Sequence, residues 1–184
     1  MARSPKPAPA VDRAGLEAAA LAYLERYASS AENLRRVLVR RVRRAAHLDE
    51  TVDPEAALIH VDALVERYTS ARLVDDDAYA RGRAASLSRR GESLRGIRAK
   101  LQAKGVGQGE VRTALDALTE GSSEADVELA SAWKIARKRR LGPFRDEAQR
   151  AERRDKDIAA LMRRGFGYSV AARVIRAHPD EAPQ

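Results

Sequence analysis

Apolar residues return every three or four positions along most of the chain, which is the spacing of one face of an α-helix. Leu16, Ala20, Tyr23, Leu24 and Tyr27 predict a first helix over about 14–28. Ser29 and Glu32 stand in capping-box positions ahead of a second helix with Leu34, Val37, Leu38 and Val42 as its stripe. Asp53-Pro54 reads as an N-cap followed by proline at the first helical position, where an N–H is not needed. The helix it opens turns Leu58, Val61, Val65 and Tyr68 inward. Asp75, Asp76 and Asp77 put negative charge and a capping carboxylate at the start of a fourth helix. That helix runs to about Ser88, with Tyr79, Ala80, Ala84 and Leu87 inward. Gly82 inside it costs about 1 kcal/mol against alanine, which predicts close packing or a bend there. Arg89-Arg90-Gly91 ends it with basic side chains and a glycine cap.

Ser93 caps a fifth helix with Leu94, Ile97 and Leu101 inward and Arg95, Arg98, Lys100 and Lys104 outward; Gly105 stops it. Val111, Leu115 and Leu118 mark a sixth, closing near Glu120, and Gly121-Ser122-Ser123 is a linker and cap. A seventh helix carries Leu129, Trp133 and Ala136 and ends in Lys134, Arg137, Lys138, Arg139 and Arg140. Trp133, spaced i+4 from Leu129, reads as a core anchor rather than a platform for stacking bases. An eighth helix, or a broken pair, covers about 144–164 with Ile158 and Leu161 inward, and Val170, Ala171, Val174 and Ile175 mark a ninth.

The helices repeat. A shift of 63 lays Ser93, Ile97, Arg98, Leu101 and Lys104 on Ser30, Leu34, Arg35, Leu38 and Arg41. A shift of 60 lays Leu161, Arg164, Gly165 and Phe166 on Leu101, Lys104, Gly105 and Val106, with Ala171 and Ile175 on Val111 and Leu115. Such recurrence is the signature of units that bury too little alone and gain by stacking. The expected fold is all-α, with three tandem three-helix modules over 14–70, 71–120 and 121–178. A flexible tail over 1–13, without the apolar region of a signal peptide, and a polar tail over 179–184 flank them. The first module has Val42 where glycine is expected, and the third has a longer stretch before its middle helix.

Charge changes the picture from fold to binding. The 35 Lys and Arg against 27 Asp and Glu leave a net charge of +8 and a pI near 10.2, a balance that favours nucleic acid or an acidic protein surface as partner. The charge is also segregated: Arg35, Arg36, Arg40, Arg41, Arg43 and Arg44 crowd the second helix without an acid among them, whereas acids dominate between Asp49 and Asp77. With no cysteine there is no disulfide, thiolate nucleophile or Cys-based zinc site, and His47, His60 and His178 lack ligand spacing. The sequence has no phosphate loop and no catalytic triad motif. Neither an enzyme nor a cofactor is expected.

LVDDDAYA from Leu73, the RRG ahead of Ser93, Ile97 and Leu101, and the AKGV ending at Val106 together resemble the RecX family, regulators of the recombinase RecA. The similarity extends to YLERYASSAENLRRVLVRR before this stretch and RRGFGYSVAARVIR after it, about 16–177 in all. The resemblance implies three-helix modules forming an elongated, curved rod that lies in the groove of the RecA–DNA filament. It also implies inhibition of filament growth, strand exchange, ATPase and co-protease activity, with no catalytic residue or cofactor. On this reading Arg35, Arg36, Arg40, Arg41, Arg95, Arg98, Lys100, Lys104, Arg163 and Arg164 face acidic groups of RecA, DNA phosphate, or both. The protein is expected to act as a cytoplasmic monomer, off the membrane, with weak direct binding to DNA. The alternative is a stand-alone DNA-binding regulator of helix-turn-helix type, which the short turns at Gly105 and Gly165 would permit. Arginines spread over three units rather than one recognition helix speak against it.

Overall fold

Short polar side chains decide where many of the helices begin. Asp12 accepts the N–H of Gly15, Ser30 that of Asn33, Asp53 those of Glu55 and Ala56, and Ser123 that of Asp126, each satisfying amides that a helix start leaves unpaired. The computed structural model describes residues 8–181; the tail expectations for residues 1–7 and 182–184 lie outside them. Among the described residues there are helices and 3-10 turns but no strand, so the all-α expectation holds. The helices are α1 (Arg13–Leu24), α2 (Ala31–Leu48), α3 (Pro54–Ser70), α4 (Asp76–Arg89), α5 (Leu94–Ala103), α6 (Gln108–Thr119), α7 (Glu124–Arg139), α8 (Glu147–Met162) and α9 (Tyr168–Arg176). Their number and order fit a threefold repetition of three helices.

The chain divides into two compact units. One runs up to Tyr79 and takes in Lys104–Val106; the other comprises Ala80–Ala103 and the chain from Gly107 onward. In the first, α1, α2 and α3 enclose Leu16, Ala20, Leu34, Leu38, Val42, Val61, Leu64 and Tyr68. Burying each large aliphatic side chain there contributes about 1.5–3 kcal/mol. In the second, α7, α8 and α9 close over Trp133, Ile135, Ile158, Leu161, Phe166, Val174 and Ile175. Trp133 meets Phe144 edge-to-face at 5.9 Å and is a core anchor, as its spacing implied.

Several local expectations need correction. The first helix stops at Leu24, four residues early, where the Arg26 N–H turns back onto the Tyr23 carbonyl in a tighter i→i−3 bond and the Tyr27 ring lies against Tyr23 at 5.2 Å. Tyr27 is therefore 57% exposed rather than inward. Ser30, not Ser29, caps α2; Ser29 instead accepts from the Asn33 side-chain amide. The buried face of α3 is Ala57, Val61, Leu64 and Tyr68, rotated from the expected stripe, with Leu58 and Val65 only half-buried. Of the acidic triplet, Asp75 caps α4 through Ala78, but Asp76 accepts the N–H of Ala31 at 2.7 Å and so caps a different helix. The stretch over 144–164 holds one helix, α8, which starts at Glu147 and is preceded by a 3-10 turn at Gly142–Phe144.

Gly82 is not closely packed. A Cβ there would meet nothing within 4 Å, and the residue is exposed inside α4. Gly82→Ala is therefore expected to raise stability by about 1 kcal/mol through helix propensity alone. Urea denaturation followed by helical circular dichroism measures it, and a destabilised variant would show that α4 needs its glycine.

Candidate anion-binding surface

Two joints of one construction position the ends of the middle helices. In the first unit, Ser30 donates its Oγ–H to the carbonyl of Lys104 while Asp76 accepts the N–H of Ala31. In the second, Ser93 donates to the carbonyl of Arg164 at 2.7 Å while Glu128 accepts the N–H of Leu94. Burial pushes the Glu128 carboxyl above its ordinary range, and the Leu94 bond works against that shift. Both serines are fully buried. A glycine follows each accepting carbonyl, Gly105 at φ +77° and Gly165 at φ +97°. A Cβ on Gly105 would strike Glu32, and one on Gly165 would stand 2.6 Å from Ser93 Oγ. The serines stand 63 residues apart and the accepting residues 60 apart, the two shifts that relate the helices in sequence.

The joints also sort the ten basic residues expected to bind. Several are occupied by this chain itself. Arg35 forks onto Asp62 through Nε and Nη2 at 2.6 and 3.2 Å, a bond that raises its pKa further. Arg36 pairs with Glu32, Arg41 donates to the carbonyl of Ala10, and Lys100 pairs with Glu92. Lys104 reaches the side chain of Asn33 at 3.2 Å. Arg164 stands at the matching position of the other joint, where Gly96 replaces Asn33. Its Nε is buried there without a partner. Arg40, Arg95, Arg98 and Arg163 are exposed, and among the described residues their side chains have no ion pair. These four are the ones open to a partner.

One of them belongs to a formed cleft. Arg98 and Gln102 on α5, with Gln108, Gly109, Val111 and Arg112 on α6, line a cavity of about 420 Å³. Among the described residues no carboxylate lines it, and none pairs with Arg98 as Asp62 pairs with Arg35. The sequence reading had Arg98 but passed over Gln102, which carries no charge, and missed Gln108 and Arg112 because it followed only the apolar stripe of α6. A count of charge on the outward face of α6 would have found Arg112.

The chemistry elsewhere is sparse. Among the described residues no group of three or more His, Asp or Glu is placed to hold a metal ion, and no helix is long and apolar enough to cross a membrane.

Fold and surface thus define an all-helical protein with a cleft lined by two exposed arginines, Arg98 and Arg112, and by no carboxylate among the described residues. The chain is 43% identical over 178 residues to regulatory protein RecX of Myxococcus xanthus (strain DK1622), an alignment covering 96% of this chain and 92% of that one. It is 37% identical over 111 residues to regulatory protein RecX of Agrobacterium fabrum (60% of this chain, 56% of the relative), and 34% over 117 residues to that of Mycobacterium ulcerans (63% and 64%). No family model matches the chain, and no solved structure does. The chain belongs to the RecX family of regulatory proteins.

Proposed function

We propose that this protein regulates a RecA-type recombinase by binding RecA and its nucleoprotein filament, and that it inhibits filament growth, strand exchange, ATPase and co-protease activity. The observation that carries this reading is identity of 43% along nearly the full length of a regulatory protein RecX. The basic residues of the middle helices supply the contact, foremost Arg40, Arg95, Arg98 and Arg163, which form no ion pair among the described residues. Contacts repeated on linked modules add avidity, because the second and third engage intramolecularly. The protein acts without a catalytic step or cofactor, as a monomer in the cytoplasm.

The deciding measurement is RecA ATPase on single-stranded DNA with the protein added well below one-to-one. Inhibition is expected, and its absence sinks the reading. Reversing all four arginines to glutamate is expected to weaken inhibition by at least about tenfold, since each exposed charge contact is modest but the four act together. Unchanged inhibition would remove the basic residues from the mechanism.

A further inference from the structure

We propose that the cleft between α5 and α6 is a phosphate clamp for the sugar–phosphate backbone of a nucleic acid, with Arg98 and Arg112 as its two jaws. This deepens the regulatory reading, on which it rests for its biological setting, but the site is argued from its own geometry.

Donors outnumber acceptors in the cleft. Arg98 and Arg112 approach from separate helices, and Gln102 and Gln108 add side-chain amides, around a cavity of about 420 Å³. Each guanidinium carries five N–H donors in a fixed fork and each glutamine amide two more. Two of the chain's own carboxylates take one arginine each: Asp62, more than half exposed, accepts from Nε and Nη2 of Arg35, and buried Asp157 from Arg145 and one backbone N–H. Two arginines and two amides exceed that need. They match a phosphodiester, whose charge is spread over two oxygens flanked by further ester and sugar oxygens.

The surroundings point the same way. Arg95 lies on the stripe of Arg98 and Gln102, at i, i+3 and i+7 along α5, so a second cation follows the first along one face. Its counterpart in α2 under the shift of 63 is Glu32, which is held by Arg36. Thus Glu32 and Arg35, each engaged in its own ion pair in the first unit, correspond to Arg95 and Arg98, which form no ion pair among the described residues. Among the described residues no aromatic ring lines the cleft, so it offers bases no stacking platform and grips the backbone without reading sequence.

The test is fluorescence anisotropy of a labelled oligodeoxythymidylate titrated with the full chain at several salt concentrations, without recombinase. Arg98→Ala with Arg112→Ala is expected to weaken binding about tenfold at low salt and to reduce the slope of log affinity against log salt by about 1–2. Arg43→Ala with Arg44→Ala, the same charge change on exposed residues of α2, is expected to cost less than about threefold. Lysine at both jaws keeps the charge but loses the fork, and should fall between wild type and the double alanine. Circular dichroism establishes that each variant is folded. Equal losses in the two alanine pairs would reduce the cleft to diffuse charge and overturn the proposal. So would an unchanged affinity after removal of both jaws, or displacement of the oligonucleotide by polyglutamate at equal charge. The two readings separate cleanly. If the jaw variant binds oligonucleotide normally yet no longer inhibits RecA ATPase, the clamp falls and the regulatory function stands. If it loses oligonucleotide and still inhibits fully, the clamp stands and the role given to Arg98 in inhibition falls.

Discussion

Asp157→Ala is expected to destabilise the protein by about 3–5 kcal/mol, the cost of breaking a buried ion pair from one side. The Asp157 side chain is only 5% exposed and accepts three bonds. Two come from Arg145, through Nε at 3.1 Å and Nη2 at 2.9 Å, and the third from the backbone N–H of Gly142 at 2.9 Å. Bonding to Asp157 holds the Arg145 guanidinium above its ordinary range. Alanine would leave a partly buried cation unpaired and a buried amide orphaned, and both penalties fall on the folded state. Urea denaturation read by circular dichroism and Trp133 fluorescence measures the change. Arg145→Ala in the Asp157→Ala background should add little, because the partner is already lost. Asp157→Asn should sit between, keeping an acceptor for Gly142 but no charge. A loss under about 1 kcal/mol for the alanine variant would mean that water serves the site as well as the carboxylate does.

This pair also shows where sequence reading stops. The helical period, most of the caps and the glycine stops follow from local chemistry, and the sequence carries them. Asp157 stands 60 residues after Ile97, at a position the repeat makes apolar, and the neighbouring match is correspondingly weak. Nothing within α8 announces that a carboxylate there is buried, because its partners come from the 3-10 turn 12 to 15 residues earlier. Asp76 deceived in the same way: three consecutive acids before a helix read as one cap, whereas one of them serves Ala31, 45 residues away. Of the candidate surface, the excess of arginine was legible. Which basic side chains are already held by this chain was not, because Asp62, on Arg35, and Glu92, on Lys100, lie on another element or in a turn. The family resemblance supplied what periodicity alone lacked, and identity along nearly the whole chain bears it out.

Gly165→Ala is expected to cost about 2–4 kcal/mol, combining a left-handed backbone with overpacking. Serine and glycine recur at both joints, Ser30 with Gly105 and Ser93 with Gly165, but only at the second would the added methyl meet the serine, since at Gly105 it would meet Glu32. On α2 the glycine position is Val42, fully buried, and the helix continues to Leu48. On α8 exposed Arg153 stands where the serine would be. The two contributions at Gly165 can be measured apart. Gly121 has φ +78° but nothing within 4 Å of an added Cβ, so Gly121→Ala carries the backbone cost alone, about 1 kcal/mol. In a Ser93→Ala background the nearest atoms to the new methyl at Gly165 are those of Arg95 at 3.5 Å, an ordinary contact. The cost of Gly165→Ala should then drop by about 1–2 kcal/mol toward that of Gly121→Ala, a coupling between two residues 72 positions apart. Equal costs in both backgrounds would mean that Ser93 does not press on Gly165, and the close approach at that joint would not be what requires glycine there.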